Sequence, residues 1–396
     1  MSQLSNQPSH HARALLIAGV LAILLPRSAR AESSLTFKAQ SWQEDDNRIR
    51  VDSQYGLLEA DLTTSTHLKL MGLIDSIAGA TPTGEKPASP SDPTPLAHME
   101  DRRKAWDAEL SHEFKRVAVT AGFANSRESD YVSNGWSLNT VTNFNDKNTN
   151  LLVGYGRTDD LINEEKLGWT IKRPKTGNDF LVGLTQLLDP NTSVSANISY
   201  GQSRGYMSDP YKIVSTTMWV EDPGVYHTVA ENRPEEKNKV SVFLATNHNV
   251  EKYHGAIDAS YRFYHDTFGI NSHTLSLLWI QKIGTKVILQ PSIRFYRQSA
   301  ADFYYTDLDA AGIVTSYAPE PPYETGTGQA PFYSSDYRLS HMQTVDLGLK
   351  LVWNIKPWVA VDVAYDRYLS RPLDGVTRKD AFSQANTFTV GLKFTR

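Results

Sequence analysis

The sequence predicts an all-β protein: a transmembrane antiparallel β-barrel of about 16 strands, in a range of about 14 to 18, with long extracellular loops and short periplasmic turns. Three observations predict this class. Segments of about ten to thirteen residues alternate between apolar and polar side chains, which is the length of a tilted strand that crosses a bilayer. Long and short connections between these segments alternate along the chain. After the first 31 residues no stretch approaches about 18 uninterrupted apolar residues, so any membrane span must consist of strands.

The clearest alternation lies between Tyr253 and Ser299. In residues 257–264 the odd positions are apolar or aromatic, and the even positions include Asp258 and Arg262. Residues 287–296 repeat this pattern, with Arg294 on the polar face. A period of two is that of a β-strand, so one face is expected to contact lipid and the other the barrel interior.

The first residues have the composition of a secretory signal. Basic residues precede an apolar run from Ala14 to Leu25, Pro26 ends the run, and Ala29-Arg30-Ala31 supplies the small residues of a cleavage site. The run is too short to cross a bilayer as a helix. We therefore expect residues 1–31 to be a cleaved signal peptide and residues 32–396 to form the barrel.

Strand-like segments follow one another from there to the end of the chain. Besides the three segments within 253–299, they are residues 34–43, 49–60, 66–74, 103–110, 117–124, 131–143, 150–156, 179–187, 194–200, 240–246, 345–353, 359–365 and 388–394. The proline-rich stretch from Thr81 to Glu100 cannot pair into a sheet and is expected to be a surface loop.

The connections between these strands are sorted by length. The long ones, residues 77–102, 160–177, 206–237, 299–337 and 370–383, all follow odd-numbered strands, and the short ones lie near residues 63, 114, 146, 190, 250, 284 and 355. Long outer loops and short periplasmic turns are typical of bacterial outer-membrane barrels. A soluble sandwich or propeller has no reason to sort its loops in this way.

The composition excludes several kinds of site. There is no cysteine, so disulfides and thiolate chemistry are excluded, and the net charge of −4 makes the exported chain a poor candidate for binding nucleic acid. The 19 tyrosines and 8 tryptophans suit aromatic girdles at the two membrane surfaces. No spacing typical of a metal or cofactor site is present, so we predict no catalytic residue, no cofactor and no metal.

The polar faces of the predicted strands supply candidates for the lining of the lumen. They are Asp258, Arg262, Arg294, Asp346, Lys350, Asp362 and Asp366. Such charges either line a water-filled path for solutes or pair with one another across the lumen. The sequence alone leaves both interpretations open, and it leaves open whether the long loops plug the barrel.

Several motifs resemble a known family. They are YRFYHD at 261–266, NSHT at 271–274, SIRFY at 292–296, ADFY at 301–304, MSDPYK at 207–212, Arg233-Pro234 and YSSDYRL at 333–339. Together they resemble an uncharacterised family of Gram-negative outer-membrane proteins, domain of unknown function 3570. The resemblance implies an outer-membrane barrel and implies no activity or catalytic residue.

Three functions remain open at this stage. The first is a channel or translocation component, the second is a surface scaffold that binds envelope partners, and the third is a hydrolase or acyltransferase at the rim. Ser272 and His273, near His265 and Asp266, are the nearest approach to a catalytic group, but neighbours on a strand point to opposite faces. We therefore expect no enzyme.

The expected partners are outer-membrane lipid, the barrel-assembly machinery and possible envelope proteins, with no nucleic acid.

Overall fold

The computed structural model describes residues 33–166, 169–216, 227–309, 313 and 331–396. The predicted signal peptide, residues 1–31, lies outside these residues. Eighteen strands are present in this part of the chain. Their bounds are β1 Ser33–Glu44, β2 Arg50–Asp61, β3 Thr66–Pro82, β4 Leu96–Phe114, β5 Val117–Arg127, β6 Tyr131–Phe144, β7 Thr149–Lys166, β8 Trp169–Asp189, β9 Thr192–Gly205, β10 Ile213–Thr216, β11 His227–Ala230, β12 Glu236–Val250, β13 Gly255–Asp266, β14 Asn271–Ile283, β15 Val287–Gln298, β16 Met342–Lys356, β17 Val359–Pro372 and β18 Ala385–Thr395.

Sixteen of these strands form one closed antiparallel barrel, which confirms the predicted fold class and strand number. Neighbours in the barrel are neighbours along the chain, except that β9 pairs with β12 because β10 and β11 form a separate hairpin. The barrel closes where β1 pairs with β18, in register from Ser34 opposite Thr395 to Glu44 opposite Ala385.

The two ends of the barrel differ as predicted. At one end the turns are short, as between β4 and β5 at residues 115–116 and between β16 and β17 at residues 357–358. At the other, long-loop end lie the connections of residues 83–95, 206–235, 299–341 and 373–384.

The prediction of a loop at residues 160–177 is wrong. β7 and β8 stay paired through this segment, for example Asp160 opposite Lys175 and Ile162 opposite Arg173. The predicted loop at 77–102 is likewise shorter, because β3 continues to Pro82 and β4 begins at Leu96. Strand pairing extends beyond the apolar band in both hairpins, where side chains no longer need to alternate.

The outer face of the barrel is apolar. In one row across four strands Tyr261 lies opposite Leu275, Leu275 opposite Phe295 and Phe295 opposite Val345. Leu275 is 57% exposed although it is apolar, as expected of a side chain that faces lipid. Within the described part of the chain, no helix is long and apolar enough to cross a membrane.

The best-buried large apolar side chains lie in the long loops, whereas the barrel wall buries small ones such as Ala385. Val214, Leu308 and Tyr333 come from two different connections and are at most 1% exposed. A second cluster joins Phe268 and Phe303, whose rings are 4.9 Å apart, edge to face. The loops therefore have a packed core of their own.

Candidate functional site: the lumen and the loops across its mouth

All seven lumen candidates lie on the face of the sheet opposite the apolar row. Arg294 is opposite Asp346 on β16, whereas their neighbours Phe295 and Val345 face outward. The same alternation places the other five candidates on the inner face: Asp258, Arg262, Lys350, Asp362 and Asp366. This location leaves open whether they select solutes or only pair with one another.

Three of these residues border a cavity of about 510 Å³ inside the barrel, near the closure of β1 and β18. Lys350, Asp362 and Asp366 share its wall with Lys38 and Gln40. The ammonium of Lys350 lies 3.7 Å from Oδ2 of Asp362, too far for a hydrogen bond. Within the described residues that oxygen is buried and accepts no hydrogen bond, so the nearby ammonium of Lys350 is its charged neighbour.

Two glycines position these carboxylates, a feature that sequence reasoning missed. A Cβ added at Gly391 would lie 2.7 Å from Cγ of Asp362, and one at Gly348 would overlap Oδ1 of Asp366. The carboxylates therefore lie flat against the neighbouring strand. The signal in the sequence was a glycine on the inner face of β16 and of β18, where any larger residue would displace the acid.

The long loops meet across the mouth of the barrel. Six strands separate the 83–95 connection from the 206–235 connection around the ring, yet the two are in contact. The ammonium of Lys212 donates to the carbonyl of Pro82, and the N–H of Ile213 donates to the carbonyl of Thr83 at 3.0 Å. We call the described residues of the four connections 83–95, 206–235, 299–341 and 373–384 the loop cap.

The 299–341 connection lies between these two. The N–H of Leu308 donates to the carbonyl of Ser215 at 2.9 Å, and Asn232 and Tyr333 exchange backbone hydrogen bonds of 3.0 and 2.8 Å. Asp307 forms an ion pair of 3.0 Å with Lys86. Backbone and charged contacts thus join three connections over the opening.

A buried carboxylate holds the middle of the loop cap. Asp336 is 1% exposed and accepts hydrogen bonds from Nη2 of Arg233 at 2.9 Å and Nε of Arg338 at 2.8 Å. Arg233 also donates to Glu231 at 3.0 Å, and Arg338 to Asp209 at 2.6 Å. Apart from Glu231, these residues come from the MSDPYK, Arg233-Pro234 and YSSDYRL motifs, which the fold brings together.

Burial and charge act on the groups of this network in different directions. Burial alone would raise the pKa of Asp336, but the guanidinium groups of Arg338 and Arg233 hold that pKa well below its usual value. Burial raises the pKa of Glu231, and Arg233 opposes the shift. Burial lowers the pKa of Lys212.

The residues considered for catalysis are not assembled into a site. Ser272 is buried on the inner face, whereas His273 is exposed on the outer face, where its Nδ1 lies 2.7 Å from the hydroxyl of Tyr261. Of the described residues, Asp101, Glu128 and Asp130 have ligand oxygens within 4.8 Å of one another, close enough to share a metal ion. Two of these acids already accept hydrogen bonds, Asp130 from the Tyr211 hydroxyl at 2.7 Å and Asp101 from the N–H of Ser129 at 3.2 Å, and we assign no ion to the group.

Solved structures of outer-membrane proteins resemble the chain at low identity. The siderophore receptor PirA from Acinetobacter baumannii is 12% identical with a TM-score of 0.44, over 88% of this chain and 54% of that one. A bacterial polysaccharide outer membrane secretin is 9% identical with a TM-score of 0.46, over 92% and 97%. OccK1 (OpdK) from Pseudomonas aeruginosa is 8% identical with a TM-score of 0.41, over 93% and 98%. The chain thus spans about half the length of the siderophore receptor, 54%.

No curated protein matches the sequence. The model of one protein family does match, over residues 14–168 and 167–391, which is most of the chain. That family is described as protein of unknown function (DUF3570). The chain belongs to this family.

Proposed function

We propose that the protein is an outer-membrane channel or translocation component, in which solutes pass through the lumen and the loop cap restricts access to it. The observation that carries this proposal is the polar inner wall of a closed barrel of sixteen strands, with a cavity of about 510 Å³ beside Lys350 and Asp362. A barrel of this size is wide enough to leave a channel unless loops fill it. Here loops lie across one end.

The location in the outer membrane is part of the proposal. It is supported by the apolar outer face and by the contrast between short turns and long loops at the two ends. With this orientation the loop cap is extracellular. Cleavage of residues 1–31 as a signal, insertion by the barrel-assembly machinery and contact with outer-membrane lipid belong to the same proposal.

We further propose that the protein works without covalent chemistry. Ser272 and His273 lie on opposite faces of β14, so they do not form a nucleophile and base. Replacing His273 with alanine should therefore leave transport unchanged.

A surface scaffold is the second candidate, and one feature favours it. The loop cap encloses a cavity of about 310 Å³ whose lining includes Lys86, Tyr304, Tyr337 and Arg378. A packed loop surface with a cavity of this kind is suited to binding an envelope partner. Under this hypothesis, loss of the loop cap would abolish function while changes in the lumen would have no effect.

The test is the ion selectivity of the purified, folded protein in a planar bilayer. We expect discrete conductance steps of stable size. Arg294→Gln removes a positive charge from the lumen and should shift permeability toward cations, whereas Asp362→Asn should shift it toward anions.

The matched control is Arg157→Gln, which removes an arginine from the outer face of the barrel. It should leave selectivity as in the wild type. Folded protein that shows no conductance, or lumen variants whose selectivity equals that of the control, would refute a path through the lumen and leave the scaffold hypothesis.

A further inference from the structure

A row of basic and polar side chains crosses four adjacent strands on the outer face at the long-loop end. His273 on β14 lies opposite Arg297 on β15, Arg297 opposite Gln343 on β16, and Gln343 opposite Arg371 on β17. Each residue is two positions along its strand from an outward-facing apolar residue, so all four face outward. We call these four residues the basic row.

The two arginines of the basic row have no acidic partner in the part of the chain that the structure describes. Within the described residues neither Arg297 nor Arg371 takes part in an ion pair, and their hydrogen-bond partners are uncharged or basic. Nη2 of Arg297 lies 3.4 Å from Nε2 of His341. With the Gln343 amide oriented so that its oxygen faces Arg371, that oxygen accepts from Nε and Nη2 of Arg371 at 2.8 Å each.

Arg102 on β4 and Arg127 on β5 also face outward and form no ion pair with a described residue. Several other outward arginines near this rim are neutralised. They form the pairs Arg50 with Asp52 at 2.9 Å, Arg157 with Asp159 at 2.8 Å, Arg204 with Glu236 at 3.3 Å and Arg367 with Asp45 at 2.7 Å. The basic row therefore combines two arginines that lack an acidic partner with a histidine and a glutamine on four adjacent strands. Its electrostatic complement is an anion that approaches from the membrane side.

Apolar side chains lie directly below the basic row. Two residues toward the membrane, a distance of about 7 Å, come Leu275 and Phe295, which are 57% and 37% exposed on the outer face. A molecule that contacts both levels must have an anionic head and an apolar tail. Arginine binds phosphate with two parallel N–H donors, which makes a phosphorylated lipid the best fit.

We propose that the basic row binds the phosphate groups of a phosphorylated glycolipid of the outer leaflet, the lipid A part of lipopolysaccharide, with its acyl chains on Leu275, Phe295 and Val345. Arg297 and His341 together hold one phosphate, and Arg371 supplies the adjacent contact. The proposal rests on the extracellular orientation of the loop cap given above. It does not depend on the lumen being open.

The test measures binding of lipid A to the full, detergent-purified protein by native mass spectrometry. The probes are lipid A with both phosphates, the same lipid after removal of the phosphates, and phosphatidylglycerol as another anionic lipid. We compare the wild type, the double variant Arg297→Gln/Arg371→Gln, and the control Arg157→Gln/Arg204→Gln. The control removes the same charge from outward arginines that already have acidic partners.

We expect the wild type and the control to bind phosphorylated lipid A alike, and the Arg297/Arg371 double variant to bind it at least about tenfold more weakly, since one charge-assisted contact is worth about that factor. Removing the phosphates should weaken binding to the wild type by a similar factor. Equal binding by the two double variants, equal binding of the phosphate-free lipid, or equally tight binding of phosphatidylglycerol would overturn the proposal.

A loss of folding would be recognised by circular dichroism, and in that case Arg297→Lys/Arg371→Lys carries the test. This variant keeps the charge but loses the two-pronged geometry, so it should bind with intermediate strength, and binding equal to the wild type would refute the geometric argument. Failure here is distinguishable from failure of the proposed function, because conductance depends on the lumen and the loop cap and not on the outer face that carries the basic row.

Discussion

Asp336 joins two connections of the loop cap from a fully buried position. Its carboxylate accepts from Arg233 in one connection and from Arg338 in its own, at 2.9 and 2.8 Å. Removing one partner of a buried ion pair leaves the other charges unpaired, which costs about 3 to 5 kcal/mol. The barrel strands contribute nothing to this contact, so the loss should be local.

We therefore predict that Asp336→Asn loosens the loop cap and leaves the barrel intact. Hydrogen exchange in residues 206–216 and 331–341 should speed up by at least about 100-fold, with strand exchange unchanged. The control Asp52→Asn removes an exposed acid on the outer face, and should change neither region. Equal exchange in the two variants would show that Asp336 does not hold the loop cap.

Acid should have a similar effect on the wild type. Because the pKa of Asp336 is lower in the folded than in the unfolded protein, its contribution to stability is present above about pH 4 and is lost as the pH falls toward the folded pKa. Glu231, whose pKa burial raises, contributes with the opposite sign. We predict that the loop cap is protected at pH 5 and becomes sensitive to an acid-active protease only below about pH 4. Sensitivity already at pH 5 would contradict the assignment.

Gly391 matters because no side chain fits between its backbone and Asp362. Gly391→Ala should destabilise the barrel by about 1 to 3 kcal/mol through overpacking, measured by urea unfolding in lipid vesicles. Gly72→Ala is the matched control, since a Cβ there would meet no atom within 4 Å. If both variants unfold at the same urea concentration, the glycine does not position the carboxylate.

At the scale of single elements, the sequence predicted strands well wherever one face meets lipid. Residues 257–264 and 287–296 alternate because every second side chain must be apolar, and both lie in strands, β13 and β15. Above the membrane this requirement ends. Pairing such as Asp160 with Lys175 continues there between polar residues, so the extension of β7 and β8 left no alternating pattern to detect.

The side chain of Arg378, in another loop, contacts three residues at the tip of the proline-rich connection between β3 and β4. Arg378 donates to the carbonyls of Pro90 and Asp92 at 3.2 and 2.7 Å and to Oγ1 of Thr94 at 3.2 Å. The ends of this connection are fixed by strands, but its tip has no regular structure of its own.

Arg378→Gln should therefore release the tip of this connection, residues 90–94. We predict roughly tenfold faster proteolytic cleavage within this connection, because hydrogen bonds worth about 1 to 2 kcal/mol are lost. Arg204→Gln, which removes an exposed arginine from the outer face, is the control. Unchanged cleavage in Arg378→Gln would mean that other contacts hold the loop.

At the scale of the whole molecule, the strand number followed from the sequence because the membrane imposes an alternating pattern on each strand, so that the strands could be counted. The sorting of loops by length is typical of outer-membrane barrels. The contacts within the loop cap could not be predicted from the sequence. Val214, Leu308 and Tyr333 are far apart in the sequence and show no periodicity, so only the folded chain brings them together. The inner-face position of Asp362 was predictable from alternation, whereas its contact with Gly391 required the register of β17 with β18.

We propose that solutes pass through the lumen and that the loop cap limits their access to it. The most direct measurement is single-channel conductance of Asp336→Asn beside the wild type, in the same bilayer and salt. We predict larger or more frequent open steps in the variant, with the same ion selectivity, because the lumen is unchanged. Identical conductance in the two proteins, when hydrogen exchange shows that the loop cap has loosened, would contradict the claim.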